Sequence, residues 1–186
     1  MISEQKRELR RRIRSCGKAI SPEDLAVASA RICRQVEGFE PFAEARTVAL
    51  YWSLAGEVST HELVRRYASC KRIVLPVVTG EVMHFAEVAE DCSNLIEGAF
   101  GVMEPREGRV CPPEEIELMV VPGMAFDCRG GRLGHGKGYY DRYFEQYTGP
   151  KVGICFDFQM VDEVPCESFD VKVDAVCAEK KYICSR

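Results

Sequence analysis

Long apolar runs are missing from this sequence, and so is a secretory leader pattern. No uninterrupted hydrophobic stretch approaches the roughly 18 residues that a transmembrane helix requires. The first fifteen residues, MISEQKRELRRRIRS, are basic, and no apolar segment of the kind found in signal peptides follows them. We therefore expect a cytoplasmic protein without a membrane partner.

Closely spaced metal ligands are also missing. The chain has 3 histidines and 10 cysteines, but no two cysteines form a CxxC pair, and no histidine stands at zinc-finger spacing. A structural zinc site is therefore not expected. Without a secretory signal, a disulfide framework is not expected either, and most of the cysteines should serve as small apolar core residues.

The sequence also lacks an excess of positive charge. The net charge is −4, which argues against a general nucleic-acid partner. Hydrophobic residues make up 46% and charged residues 29%, an ordinary globular composition that excludes intrinsic disorder. A chain of 186 residues is long enough to bury a core without metal or disulfide support. We expect one domain over residues 1–186 and, as a working hypothesis, a monomer.

Helical and strand patterns alternate along the chain. Ser21 and Pro22 mark a helix start, Gly38 and Pro41 should close that helix, and Ser59 with Glu62 could form a capping box. The patterns predict helices at residues 3–18, 22–39, 61–70 and 140–147, and strands at 47–53, 72–78, 82–88, 118–121, 151–156 and 175–183. This order predicts a single three-layer α/β domain with a mostly parallel open sheet flanked by helices.

The most informative stretch is residues 122–144, PGMAFDCRGGRLGHGKGYYDRYF. It holds 6 glycines between positions 123 and 138, together with the cations Arg129, Arg132, His135 and Lys137. A glycine-dense loop of this kind, placed after a strand and before a helix, offers backbone N–H groups and positive charge to a phosphate. The alternative is a flexible surface loop with solvated charges.

Two common nucleotide motifs do not fit this loop. The segment from Gly131 to Lys137 has the form GxxxxGK, but Gly138 stands where a P-loop has the Ser or Thr that binds magnesium. We therefore reject a P-loop. The glycines also lack GxGxxG spacing, which does not support a dinucleotide fold. Asp141 is the nearest carboxylate, and it could bind a metal or simply stabilise the start of the helix.

The loop resembles the signature of a known family. The run GRLGHGKGYYDRY at residues 131–143 is similar to that of the 5-formyltetrahydrofolate cyclo-ligases, also called methenyltetrahydrofolate synthetases. Four weaker segments agree in order and spacing: KRELR at 6–10, YWSLAGEVST at 51–60, GVMEP at 101–105 and FDVKVDAV at 169–176. The resemblance covers nearly the whole chain and implies a sheet of the NagB/RpiA/CoA-transferase-like kind.

The resemblance implies an enzyme that closes 5-formyltetrahydrofolate to 5,10-methenyltetrahydrofolate, using ATP and magnesium and releasing ADP and phosphate. Its substrates would be small molecules, a reduced folate and ATP. Two alternatives stay open. One is a folate- or nucleotide-binding protein of the same fold without turnover. The other is a related ATP-dependent enzyme with a different, thiamine-related substrate.

Residue roles follow from the same resemblance. It implies that Lys137, Arg132 and Tyr140 are catalytic and that Asp141 and Asp170 bind magnesium. The residues implied to bind ATP are Lys6, Arg10, Arg132, Leu133, Gly134, His135, Gly136, Lys137, Gly138, Tyr139 and Tyr140. The residues implied to bind folate are Trp52, Leu54, Glu57, Met103, Glu104 and Tyr140. For His135 only the backbone is expected to contribute. Asp174 is an alternative metal ligand, and Phe169 stands where the family often has histidine.

Simpler explanations exist for several of these residues. Lys6 and Arg10 lie four apart and could form a solvated basic helix face. Glu57 could be an ordinary acidic residue of a surface loop. Trp52 and the two tyrosines could be core aromatics.

Overall fold

A computed structural model describes residues 2–98, 101–167, 170–180 and 182–184. The helices are α1 (Ile2–Lys18), α2 (Pro22–Glu37), α3 (Glu40–Glu44), α4 (His61–Tyr67) and α5 (Tyr139–Tyr143), with two short 3₁₀ turns at Pro113–Glu115 and Asp157–Gln159. Every helix in this described part is too short or too polar to traverse a bilayer.

Within the residues that the structure describes, twelve strands build one large sheet and two small hairpins. They are β1 (Thr47–Ala49), β2 (Arg72–Thr79), β3 (Val82–Glu87), β4 (Leu95–Glu97), β5 (Met103–Pro105), β6 (Val110–Cys111), β7 (Leu118–Val121), β8 (Ala125–Phe126), β9 (Arg132–Leu133), β10 (Lys151–Ile154), β11 (Ala175–Cys177) and β12 (Tyr182–Cys184). The large sheet has 8 strands in the order β12-β11-β10-β7-β1-β2-β3-β6, and β4–β5 and β8–β9 are separate antiparallel pairs.

The centre of the large sheet is parallel and its margins are antiparallel. Strands β11, β10, β7, β1 and β2 run in one direction, whereas β12, β3 and β6 pair antiparallel at the two edges. Parallel central strands need cover on both faces. In β7, Leu118 and Val120 pack into one hydrophobic core, and Met119 and Val121 pack into the other. The predicted α/β fold with a mostly parallel, helix-flanked sheet is confirmed.

Helices close the two cores because each presents one apolar face. Ile32 and Val36 of α2 and Leu63 of α4 pack on one side of the sheet, while Tyr143 of α5 packs on the other. The long helix α1 makes a third, smaller core. Its Leu9 and Ile13, four residues apart on one stripe, pack against the β8–β9 hairpin.

The capping residues predicted from the sequence mark the observed ends of α2. Ser21 caps α2, since its Oγ accepts a hydrogen bond from the Asp24 amide at 3.1 Å, and Gly38 follows the last turn. Pro41 was expected only to end this helix, but it lies in the first turn of α3, which the sequence analysis did not predict. Proline is well tolerated at such a position because the first helical amides have no intrahelical acceptor.

The predicted capping box of Ser59 and Glu62 is wrong. Thr60 is the residue before α4, and no side chain caps this helix start. Tertiary contacts explain this difference. The Thr60 hydroxyl donates to the Tyr51 carbonyl, and the Ser59 amide donates to Ser29 Oγ at 3.0 Å.

Other predicted elements were too long. The first strand ends at Ala49 rather than at residue 53, α4 ends at Tyr67, and α5 covers five residues instead of reaching Tyr147. The predicted strand at 175–183 is an antiparallel pair, β11 and β12. The strand ends depend on pairing with distant segments, which local periodicity does not report.

Candidate functional site

Loops that follow the parallel strands β1 and β7 form the candidate site. These strands are neighbours and run in the same direction, so their carboxyl ends lie at the same edge of the sheet. Open α/β sheets place their ligands at this edge. The loop at residues 50–60 and the glycine-rich segment starting at Pro122 therefore lie close together.

Asp127 organises the entrance to the glycine-rich loop. This residue is only 3% exposed, and its Oδ1 accepts hydrogen bonds from the amides of Arg129 at 2.8 Å and Gly131 at 2.9 Å. Its Oδ2 accepts from the Val164 amide at 2.8 Å. Sequence analysis missed Asp127, although an aspartate followed by glycines directly after a strand is a typical turn signal.

Two glycines of the loop adopt a backbone that other residues rarely take. Gly136 has φ of +103° and Gly138 has φ of +71°, and Gly138 immediately precedes α5. A Cβ atom on Gly136 would lie 3.5 Å from the Arg10 guanidinium carbon. The glycines thus let the loop turn sharply while it approaches α1.

Arg132 is held rigidly at the centre of the site. Its side chain is 3% exposed, its Nη2 donates to Asp141 Oδ1 at 2.7 Å, and its Nη1 donates to the Pro122 carbonyl at 3.3 Å. The guanidinium carbon also lies 5.5 Å and 5.6 Å from the ring centroids of Tyr140 and Phe144. Arg132 therefore presents a fixed positive charge.

A mainly apolar cavity of about 330 Å³ opens on one side of this arginine. Residues from several loops, from the strands β2, β3 and β9 and from the helix α5 line it: Tyr51, Trp52, Leu54, Glu57, Val78, Met83, Val102, Pro122, Arg132, Gly134, His135, Lys137, Gly138, Tyr139, Tyr140 and Asp141. We call it the first cavity. Its size and its few polar groups suit a flat organic ligand.

Glu57 is the carboxylate of the first cavity. Its side chain is 6% exposed, its Oε2 accepts from the Leu54 amide at 2.8 Å, and its Oε1 lies 2.7 Å from His135 Nε2. Because a carboxylate only accepts, His135 is the donor in this bond. The His135 side chain therefore takes part in the site, beyond the backbone contribution that was expected.

Tyr140 supplies a buried hydroxyl to the same cavity. This hydroxyl has no hydrogen-bond partner within the described ranges, and burial raises the pKa of Tyr140 far above its ordinary value. The side chain therefore stays a neutral phenol that can donate a hydrogen bond to a ligand. Tyr139 differs, because its hydroxyl donates to the Gly80 carbonyl at 3.0 Å.

A polar cavity of about 250 Å³ lies on the other side of Arg132. It is lined by Ser3, Lys6, Arg10, Arg132, Leu133, Gly134, Gly136, Gly138, Asp141, Glu167 and Asp170. We call it the second cavity. Four residues, Arg132, Gly134, Gly138 and Asp141, border both cavities and form a shared wall.

Lys6 and Arg10 enter the second cavity from α1. Lys6 Nζ lies 2.6 Å from Asp170 Oδ2 and 2.9 Å from Glu167 Oε2, and Arg10 Nε donates to the Gly134 carbonyl at 2.8 Å. Burial lowers the pKa of Lys6, but the hydrogen bonds to Asp170 and Glu167 outweigh it and raise the value overall. Lys6 is therefore a firmly charged ammonium.

Most of the predicted residues border one of the two cavities, but some do not. Met103 and Glu104 border neither cavity, and Glu104 Oε1 accepts from the Val78 amide at 3.3 Å. Asp174 accepts from the Lys151 amide at 2.9 Å and borders neither cavity. Phe169 lies outside the described residues.

The carboxylates of the second cavity fit a magnesium ion. Within the described ranges no three His, Cys, Asp or Glu side chains cluster as an all-protein metal site. Magnesium usually takes one or two carboxylates and completes its shell with water and substrate phosphates. Asp141 and Asp170 border the second cavity. Asp141 bonds to Arg132 through Oδ1, and Asp170 bonds to Lys6 through Oδ2. The other oxygen of each carboxylate could therefore coordinate magnesium.

The fold and the paired cavities define an α/β protein with an apolar cavity and a polar cavity on opposite sides of Arg132. The chain belongs to the 5-formyltetrahydrofolate cyclo-ligase family, whose model matches residues 2–179. This match confirms the resemblance seen in the sequence.

Curated relatives and solved structures agree with this assignment. A probable 5-formyltetrahydrofolate cyclo-ligase of Schizosaccharomyces pombe is 32% identical over 98% of each chain, and the Escherichia coli K12 enzyme is 29% identical over 91% of this chain and 97% of its own. The NMR structure of Aquifex aeolicus 5,10-methenyltetrahydrofolate synthetase has a TM-score of 0.90 at 35% identity, covering 97% of this chain and 93% of that one. The chain is an enzyme of the cyclo-ligase class.

Proposed function

We propose that this enzyme uses ATP and magnesium to convert 5-formyltetrahydrofolate into 5,10-methenyltetrahydrofolate, ADP and phosphate. The observation that carries the proposal is the shared wall between an apolar cavity and a polar one that contains cations and carboxylates. Such an arrangement can hold a pterin ring and a triphosphate on opposite sides of Arg132. The family relationship supplies the reaction class.

The chemistry explains the requirement for ATP. The N5-formyl group is a poorly electrophilic amide, and direct ring closure would have to expel its oxygen as hydroxide or water. In the proposed reaction the formyl oxygen attacks the γ-phosphorus and ADP leaves. The N10 lone pair then attacks the activated carbon, the C–O bond breaks with its electrons going to phosphate, and N10 loses its proton.

The protein's part in this reaction is positioning and charge stabilisation. Arg132 and Lys137 would face the transferring phosphoryl group, and Tyr140 would donate to the formyl oxygen. Asp141 and Asp170 would hold magnesium, which when bound neutralises part of the charge on the phosphates. The glycine-rich loop would offer its amides to the same phosphates.

Glu57 would orient the folate. Its carboxylate can accept hydrogen bonds from the amino group and the ring N–H on the pyrimidine edge of a pterin, a planar pair of donors. Trp52 and Leu54 would supply apolar walls around the ring. This orientation leaves N5 and its formyl group on the far side of the ring from Glu57, towards the shared wall.

The test is direct. Purified enzyme is mixed with 5-formyltetrahydrofolate and Mg-ATP, and the absorbance of the methenyl product is followed. We expect a rise that depends on both ATP and the folate, with one ADP formed per product. No ATP-dependent rise would contradict the proposal, and a panel of other substrates would then address the thiamine-related alternative.

A further inference from the structure

Trp52 is the largest aromatic side chain that borders the first cavity. It lies in the loop at residues 50–60, which follows β1. A loop side chain can orient a flat ligand only if its own ring is held at a defined tilt, because a mobile wall leaves the ligand free to turn. The contacts that hold this indole therefore bear on the function of the site.

The imidazole ring of His61 lies directly against the indole. The two ring centroids are 4.1 Å apart and the ring planes differ by 18°, so the rings are stacked. His61 is the first residue of α4, and it is not among the described residues that border the first cavity. It therefore lies behind the indole, as seen from the cavity, and would not touch a ligand there.

Contacts with Ser53 fix the imidazole in this place. The Nε2 atom of His61 lies 3.1 Å from the Ser53 carbonyl oxygen and 3.0 Å from Ser53 Oγ. Because a carbonyl oxygen only accepts, Nε2 carries the proton and donates it. Ser53 is the neighbour of Trp52 in the chain, so His61 is anchored on the residue next to the indole that it covers. This anchor sets the plane of the imidazole, and the imidazole sets the plane of the indole.

Other bonds hold the backbone of this loop independently of His61. The Thr60 hydroxyl donates to the Tyr51 carbonyl, and the Tyr51 hydroxyl donates to the Val58 carbonyl at 3.0 Å. The Thr60 amide lies 3.4 Å from Ser53 Oγ, to which it donates. Removal of the His61 ring should therefore release the indole without unfolding the loop.

The surroundings of His61 keep its ring neutral near pH 7. Burial lowers the pKa of His61 below its ordinary value of 6.5, and the positive charge of Arg65 lowers it further. The hydrogen bond to the Ser53 carbonyl and the charge of Glu62 act in the opposite direction and are outweighed. Arg65 stands one turn further along α4, with its guanidinium carbon 5.4 Å from the centroid of the Trp52 ring. The indole thus has a neutral ring and a separate cation beside it.

We propose that His61 is a positioning residue for folate: its ring backs Trp52 and sets the tilt at which the indole meets the pterin. The inference rests on the proposed function, because it takes a reduced folate as the ligand of the first cavity. The effect passes through Trp52, so it should appear in folate binding and not in the phosphoryl-transfer step.

Three substitutions separate the ring of His61 from its hydrogen bond. His61→Ala removes both, His61→Phe keeps a flat ring, and His61→Gln keeps a donor for Ser53. We expect His61→Ala to raise the KM for 5-formyltetrahydrofolate about fivefold, as for loss of one aromatic pair, with kcat and the KM for Mg-ATP within about twofold. His61→Phe should bring this KM back to within about twofold of the unsubstituted chain, whereas His61→Gln should not.

Arg66→Ala is the matched control, because Arg66 is exposed on α4 and pairs with Glu37, away from the indole. It should leave the KM for the folate unchanged, and a circular-dichroism melt shows that each variant is folded. An unchanged KM in His61→Ala, or a loss confined to kcat, would overturn the proposal. So would a failure of His61→Phe to restore KM better than His61→Gln.

The emission of Trp52, the single tryptophan, reports the stack without any substrate. A protonated imidazole quenches an indole that it touches, so lowering the pH from about 8 to about 5 should reduce the emission, with a midpoint below 6.5. Arg66→Ala should keep this step and His61→Phe should lose it. No step in the unsubstituted chain, or a step that persists in His61→Phe, would contradict the positioning role. Cyclisation by the unsubstituted enzyme, measured separately, shows whether the proposed function itself has failed.

Discussion

At the scale of single residues, the site makes specific predictions about substitutions. Lys137→Ala should lower turnover by about tenfold or more, because a cation facing the transferring phosphoryl group stabilises charge that develops only in the transition state. Steady-state rates and a thermal melt by circular dichroism provide the measurement. Lys180→Ala, an exposed lysine elsewhere, is the control. Unchanged turnover in Lys137→Ala would remove this lysine from the mechanism.

Glu57→Gln should weaken folate binding by about tenfold while ATP affinity stays unchanged, since the amide keeps the shape but loses the charge and one acceptor oxygen. The single tryptophan, Trp52, borders the first cavity, so its fluorescence can report the titration. Titrations are made with the ATP site empty and filled. Equal folate affinity in both states for Glu57→Gln and the unsubstituted chain would defeat the assignment.

His135 offers a second test of the same contact. If its Nε2 holds Glu57 in place, His135→Ala should weaken folate binding, and this loss should vanish in the Glu57→Gln background. A double-mutant cycle on folate affinity measures the coupling. His135→Gln keeps a donor and should restore part of the affinity. Strictly additive effects would mean that the two side chains act independently.

At the scale of elements, the β8–β9 hairpin depends on one buried carboxylate. Asp127→Ala would leave three backbone amides without their acceptor, and we expect a loss of about 3 kcal/mol in the free energy of unfolding. Urea denaturation measures this change. Asp91→Ala is the matched control, because Asp91 accepts one amide bond in an exposed turn. A loss as small as in the control would show that the hairpin does not need Asp127.

Elements with strong local signals were predictable, and long-range contacts were not. The apolar stripe of α1, the caps and apolar stripe of α2 and the apolar run of β7 gave those elements nearly at their observed bounds. The short α5 and the divided strand at residues 175–183 depend on tertiary contacts that a local pattern does not contain.

The candidate site was likewise predictable only in part. The loop glycines were visible in the sequence, but the bonds from Lys6 to Asp170 and from His135 to Glu57 join segments far apart in the chain.

At the scale of the whole molecule, the described cysteines differ in burial, from exposed to fully buried. Burial raises the pKa of Cys33 to about 11 and that of Cys177 to about 12, so at pH 8 their reactive thiolate forms are scarce. Alkylation of the native protein at pH 8, followed by peptide mapping, should label the exposed residues Cys16, Cys70, Cys128 and Cys166 and spare the buried Cys111, Cys155 and Cys177. Labelling of the buried set at the same rate would contradict this arrangement.

The partition formed by Arg132 and Asp141 has a thermodynamic consequence. This ion pair, of which Arg132 is the buried member, faces two compartments, so an occupant on either side alters the field and the packing that the other experiences. Linkage requires that the factor by which a folate changes the affinity for a nucleotide equals the factor in the reverse direction. We therefore expect each of the two proposed substrates to change the equilibrium affinity for the other, before any bond is made or broken.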